Sequence, residues 1–229
     1  YVQESVFETV TAKTDVSLVL DAVIGPDTLV GSSSSGIPAS RFTSECKNRD
    51  RFMIAHPVNP PHLVPVVEVV PAPWTDGEAV DRVIELMREI KQVPVRLTRE
   101  IDGFVLNRLQ GVLLNEAWAL YEEGIASLAD IDATIAHGLG LRWSFMGPFE
   151  TIDLNAPGGI EDYAARLRDL YAGMVRTPPP GAWSDDVIQK AAEERRAALP
   201  ADKLADRRAW RDAILGRLAA FKKSEHLTG

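Results

Sequence analysis

The run Phe52 to Val70, FMIAHPVNPPHLVPVVEVV, limits what this chain can fold into more than any other stretch. Phe52-Met53-Ile54-Ala55 has the length and apolar character of a buried strand. His56-Pro57 ends it. Pro57, Pro60, Pro61 and Pro65 exclude a helix from the next residues, because proline lacks an amide donor and its ring clashes with the preceding turn. A second apolar run, Val64 to Val70, contains a single charge, Glu68. The segment therefore reads strand, turn, strand, with an imidazole closing the first strand and a lone carboxylate in the second. An imidazole is suited to proton transfer near neutral pH, and a partly buried carboxylate can fix its tautomer and stabilise its charged form. The residues alone also allow a plainer reading, in which Glu68 bonds something local and His56 merely ends a strand.

Around this segment the pattern alternates. Val10, Lys13, Val16-Ser17 and Leu20 give Glu4 to Leu20 a partial helical periodicity, stopped by Gly25-Pro26-Asp27. Leu29-Val30 reads as a short strand opening into Ser32-Ser33-Ser34-Ser35-Gly36. A strand ending in small hydroxyl residues lets a ligand approach the backbone at the carboxyl end of a parallel sheet; a flexible polar loop is the competing reading. Ile37 to about Asn48 is expected to be a short helix. Asp76 to Gln92 reads as an amphipathic helix, with Thr75 as its N-cap and Val80, Val83, Ile84, Met87 and Ile90 on one stripe. Val93 to Leu97 is the last strand. This βαβα order indicates a doubly wound α/β domain over residues 1–99.

From residue 100 to 229 the pattern is helical. A long helix opens at Gly103 and reaches about Gly124, with Leu106, Leu109, Leu113, Ala117, Leu120 and Tyr121 on its apolar face. Asn107 falls in its first turns, where a helix N-terminus can face a polar ligand, although asparagine there is usually a local hydrogen-bonder. Ser127 to Asp130 caps a helix expected over Ile131 to Gly138 and ended by Gly138 and Gly140. Trp143, Phe145 and Phe149 are expected in core or interface packing around Gly147-Pro148. Thr177 to Gly181 reads as a rigid linker between this part and two polar helices, Asp185 to Leu199 and Ala201 to Lys223.

A net charge of -8 disfavours nucleic acid and anionic membrane as partners. No apolar run approaches membrane-spanning length, and the single Cys46 suits a reducing compartment, so a cytoplasmic location is expected. No residue is assigned to a metal.

HPVNPPHLVPVVEVV, with SSSSG before it and GFVLNRLQ after it, resembles the 3-hydroxyacyl-CoA dehydrogenase superfamily, nearest to its lambda-crystallin or L-gulonate 3-dehydrogenase type. QESV, EAWALYEEGI, GLGLRWSFMGPFETIDLNA and RRAWRD extend the likeness over nearly the whole chain, in order. The resemblance implies the remaining part of a Rossmann-like NAD-binding domain, followed by an all-helical domain for substrate and homodimer contacts. It implies NAD-dependent oxidation of a small-molecule 3-hydroxy acid to the 3-keto acid, with L-gulonate the leading substrate. 3-Hydroxybutyryl-CoA and carnitine are the alternatives, and a non-catalytic crystallin-like protein or dimerising fragment is the other class. By the same resemblance His56 is the general base and Glu68 its orienting partner, while Ser35 and Asn107 contact the reacting substrate. Glu4, Lys13 and Ser33 face the cofactor, and Arg142 meets a substrate carboxylate. Ser33 stands where the acyl-CoA enzymes of the family have Asn, which leans away from an acyl-CoA substrate. The chain contains no Gly-x-Gly-x-x-Gly. The resemblance therefore implies that the Gly-rich first part of the cofactor domain, two or three βαβ units of roughly 30 residues each, lies outside it.

Overall fold

The computed structural model describes residues 1–174 and 183–225, so the expected linker at Thr177 to Gly181 lies outside the described residues. Its contacts divide the chain into two compact units. Among the described residues Tyr1–Gln110 and Asp212–Ala220 form one, and Gly111–Arg211 with residues 221–225 form the other.

The first unit is built on a five-stranded sheet whose spatial order follows the sequence: β1 (Val2–Glu4), β2 (Val30–Ser32), β3 (Phe52–Pro57), β4 (Val66–Pro71) and β5 (Val93–Arg96). Strands β1, β2 and β3 are mutually parallel, β4 runs antiparallel to β3, and β5 is parallel to β4. The reversal at β4 follows from its connection. A parallel neighbour needs a crossover of about a dozen residues or more, and the proline-loaded stretch 58–65 can supply only a turn. Apolar runs that do not alternate are buried on both faces, as expected of strands covered on each side. Met53, Ala55, Val67 and Val69 pack on one face against Val80, Val83, Ile84 and Met87 of α2 (Gly77–Glu89). Ile54 and Val70 point the other way, into a cluster with Ala39, Phe42, Leu97 and Phe104.

Several boundaries differ from those the sequence suggests. Helix α1 (Val10–Val23) starts only at Val10, because Thr9 caps it by accepting the Ala12 N–H, and Glu4 belongs to β1. The helix expected over Ile37 to Asn48 is replaced by single 3-10 turns at Ala39–Arg41 and Arg49–Arg51. There the Asp21 carboxylate takes the N–H groups of Lys47 and Asn48, at 2.7 and 2.9 Å, which a helix would have used. Asp76 rather than Thr75 caps α2; the Thr75 hydroxyl donates to the Phe52 carbonyl instead. Ile90 falls off the buried stripe and is 55% exposed.

Residues 100–110 group with the sheet unit rather than with the helices that follow. Phe104 is the reason, since it is fully buried in the cluster of Ile54 and Val70.

In the second unit run most of α3 (Leu106–Glu122), α4 (Leu128–Thr134), α5 (Gly140–Trp143), α6 (Pro148–Leu154), α7 (Gly159–Ala172), α8 (Asp185–Ala198) and part of α9 (Leu204–Ser224). Ser127 caps α4 by accepting the Asp130 N–H. Gly138 and Gly140 do not end the helix: the chain runs on through a single π turn, Ile135–Leu139, into α5. A Cβ at Gly140 would lie 2.8 Å from the Ile135 carbonyl oxygen, so the glycine makes the wide turn possible. Trp143, Phe145 and Phe149 are exposed rather than set in a core, and Leu109 on the apolar face of α3 is 65% exposed. Helix α7 has no counterpart among the elements that the sequence suggests. Among the described residues no helix is long and apolar enough to cross a membrane.

The close approach of β2 to β3 generates a test. A Cβ at Gly31 would run into the Tyr1 hydroxyl and lie 2.7 Å from Ala55 Cβ, inside the sheet unit. Gly31→Ala should lower stability by about 1–3 kcal/mol, the usual cost of an overpacked core site. The urea midpoint should fall with no change in m-value; an unshifted midpoint would show that the Tyr1 side chain and β3 can give way.

Candidate active site

The β3–β4 register sets His56 directly across from Glu68, so two residues far apart along a proline-rich segment become cross-strand neighbours on one face. Both are buried, at 5% and 1% exposure. His56 Nδ1 lies 3.0 Å from Glu68 Oε2. The other carboxylate oxygen, Oε1, accepts the N–H groups of Val105 and Leu106, each at 2.9 Å. Those amides are aimed by a turn through Gly103 and Phe104, whose φ values of 75° and 53° are both left-handed. Glycine adopts that region freely, whereas phenylalanine is held there only when its surroundings demand it. Here burial does so: the Phe104 ring sits 5.8 Å from the imidazole, centroid to centroid.

Burial pushes the Glu68 carboxyl up. The His56 hydrogen bond and the two backbone N–H groups outweigh it and hold the group below its ordinary value. An ionised Glu68 leaves one arrangement for neutral His56: Nδ1 carries the proton and donates it, and the Nε2 lone pair is the basic site.

The serine run forms the loop after β2. Ser35 is exposed, its N–H donates to Glu8 Oε1 at 2.9 Å, and its carbonyl accepts Asn107 Nδ2 at 2.5 Å. Asn107, in the first turn of α3, is thus a long-range link rather than a local one. Ser33 is half-buried, and its N–H donates to the Glu4 carbonyl at 2.8 Å. Glu4 and Lys13 are buried and meet each other at 3.2 Å. Arg142 belongs to the second unit, exposed on α5. The structure thus brings His56, Glu68, Ser35 and Asn107 into one bonded neighbourhood of the sheet unit.

Glu8 is the residue that sequence reasoning misses. Burial raises its carboxyl, but the Ser34 hydroxyl, the Ser35 N–H, the Lys13 charge and the Gly36 N–H together lower it. Its only signal in the sequence is a carboxylate just before the Thr9 cap and just after a strand's carboxyl end.

The sequence matches two profiles along its length: the 3-hydroxyacyl-CoA dehydrogenase NAD binding domain over residues 1–101 and the C-terminal domain of the same enzymes over residues 103–200. Lambda-crystallin of Oryctolagus cuniculus is 40% identical over 228 residues, covering 97% of this chain and 70% of that protein. L-carnitine dehydrogenase of Pseudomonas aeruginosa is 33% identical, covering 98% of this chain and 71% of that protein. Among solved structures, 5-formyl-3-hydroxy-2-methylpyridine 4-carboxylic acid 5-dehydrogenase, an NAD+ dependent dismutase, superimposes with a TM-score of 0.80 at 28% identity, over 99% of this chain and 72% of its own.

The lowered Glu68 value has a measurable sign. A carboxyl whose folded pKa lies below its ordinary value of 4.5 adds stability that is complete above that value and is lost as pH falls through the folded one. Glu68→Gln should therefore flatten the acid limb of the stability–pH curve relative to wild type, read by urea unfolding at a series of pH values. Parallel curves for the two proteins would contradict an ionised, donor-bound Glu68.

Proposed function

This chain belongs to the 3-hydroxyacyl-CoA dehydrogenase family, one of NAD-dependent oxidoreductases, and we propose that it oxidises the 3-hydroxyl of a small free acid, with L-gulonate the first candidate. The observation that carries the reading is the buried His56–Glu68 pair, with the carboxylate held ionised by three donors. His56 Nε2 takes the proton of the substrate hydroxyl as the carbinol carbon becomes a ketone. Glu68 holds the imidazole in place and stabilises the imidazolium that forms. Ser35 and Asn107 fix the reacting oxygen against Nε2, which in general contributes several kcal/mol by orientation.

The residues at the carboxyl ends of the parallel strands β1 and β2 fit a nicotinamide cofactor. Open α/β sheets hold ligands at that edge. There the half-exposed Glu8 carboxylate and the Ser33 hydroxyl supply the acceptor and donor that a carboxamide and a ribose require. What NAD supplies when bound is acceptance of hydride from the carbinol carbon.

The names of the relatives include both substrate classes, a 3-hydroxyacyl-CoA dehydrogenase of Gibberella moniliformis at 39% identity among them, and two lend support to a free acid. The carnitine enzyme and the pyridine carboxylic acid enzyme are both named for substrates that carry a free carboxylate. Ser33, in place of the asparagine of the acyl-CoA branch, leans the same way. The exposed Val112, Phe149 and Leu154 support a homodimer formed through the helical unit.

His56→Ala should lower kcat at least ~100-fold, the usual loss with a general base. Glu68→Gln should lower kcat more than it raises KM. Assays with NAD and, in turn, L-gulonate, L-carnitine and 3-hydroxybutyryl-CoA test the substrate; the highest kcat/KM on the thioester would replace the free-acid reading.

A further inference from the structure

Helix α1 presents an unusual face to the interior. Its buried side chains are Lys13 and Ser17, while Val19 and Val23 stand in solvent. An ammonium group withdrawn from water must find close partners. Lys13 Nζ lies 3.3 and 3.2 Å from the two carboxylate oxygens of Glu4, and 3.5 Å from both Ser32 Oγ and Glu8 Oε2.

The cluster continues into the serine loop. The Ser32 hydroxyl donates to Glu4 Oε2, and its oxygen accepts the Ser34 N–H at 3.2 Å. Glu8 Oε1 accepts the Ser34 hydroxyl at 2.7 Å and the Ser35 N–H at 2.9 Å. The Glu4 carbonyl takes the Ser33 N–H. The amides of Ser34 and Ser35 therefore end on side chains of one ion cluster, and that of Ser33 on the backbone of its Glu4. A nest that binds phosphate or an oxyanion needs such amides free and convergent. Here they are committed inward, and what the loop offers a ligand is hydroxyl groups, that of the exposed Ser35 foremost.

We propose that Lys13, Glu4 and Ser32 are positioning residues for Ser35. The buried ion pair fixes the Ser32 hydroxyl, Ser32 fixes the Ser34 amide, and the loop carries the Ser35 hydroxyl in one place. The inference rests on the reading of Ser35 as a contact of the reacting oxygen. A purely structural ion pair would stabilise the fold with no effect on the loop, and a fold-stability measurement alone would not separate the two.

Ser32→Ala separates them, because it leaves the Lys13–Glu4 ion pair in contact while removing the one hydroxyl that joins that pair to the Ser34 amide. Ser32→Thr keeps the hydroxyl and serves as the rescue. In hydrogen exchange on the purified chain, without cofactor or substrate, the Ser34 and Ser35 amides of Ser32→Ala should exchange about tenfold faster than wild type. That is the change expected from losing a hydrogen bond worth about 1.4 kcal/mol. Ala55 in β3 should be unaffected, and Ser32→Thr should restore slow exchange. In turnover assays Ser32→Ala should lower kcat more than it raises KM, since a displaced Ser35 costs orientation rather than binding. Unchanged exchange at Ser34 and Ser35 would overturn the proposal, as would faster exchange with kcat and KM intact. If the wild type turned over none of the three candidate substrates, the dehydrogenase reading would fall, and the exchange comparison would still decide whether the cluster holds the loop.

Discussion

A carboxylate almost wholly removed from water stays ionised only where donors replace the water it has lost, and the arrangement around Glu68 meets that condition. One donor is an imidazole on the facing strand; the other two are backbone amides at the start of a helix. Each imposes something on the chain. The imidazole requires the antiparallel β3–β4 register, since a slip by one residue would send His56 to the opposite face of the sheet. The amides require the left-handed turn at Gly103 and Phe104, with the Phe104 ring driven into the core to hold it. Breaking such a buried arrangement by deleting one partner costs about 3–5 kcal/mol, because the remaining charge has nowhere to go. Register, turn and helix start are therefore consequences of keeping one charge buried.

The same condition governs Lys13. Two carboxylates and a hydroxyl surround its ammonium, drawn from β1, the turn after it and the end of β2. That satisfies the charge and also explains why α1 turns a polar face inward, contrary to the usual amphipathic rule. In both places the buried charge occupies donors and acceptors at the ends of strands, where loops would otherwise be free to move.

How far the fold is legible in the sequence depends on how local the deciding interactions are. The strands β3 and β4, the stripe on α2 and the change to helices after residue 100 rest on periodicity and proline placement, and they are legible without a structure. The antiparallel pairing of His56 with Glu68 follows once the link between the strands is too short for a crossover. The missing helix after Ile37 is not legible, because its amides are claimed by Asp21, which lies remote in sequence. Asp76 and Thr75 are both acceptable caps by type; only the Phe52 carbonyl, supplied by another strand, decides between them. Glycine usually ends a helix, so the π turn at Ile135–Leu139 could not be anticipated from Gly138 and Gly140. Glu8 is hidden for the same reason as the lost helix: its partners, Ser34 and Ser35, come from a different loop.

At the start of α3, consecutive residues serve both halves of the site. The Val105 and Leu106 amides hold Glu68, and through it His56, while the Asn107 side chain holds the Ser35 carbonyl. His56 and the Ser35 loop are thus tied to one turn and not directly to each other. A rotation of that turn would misplace them together, and misplacement by about 1 Å can cost on the order of 100-fold in rate even when every catalytic side chain remains. A left-handed Phe104 is strained relative to an extended one, and a site that needs its donors aimed this closely accounts for why the strain is retained. The β3–β4 register gives the imidazole a fixed direction, and the start of α3 ties the Ser35 loop to the same turn that holds its carboxylate partner.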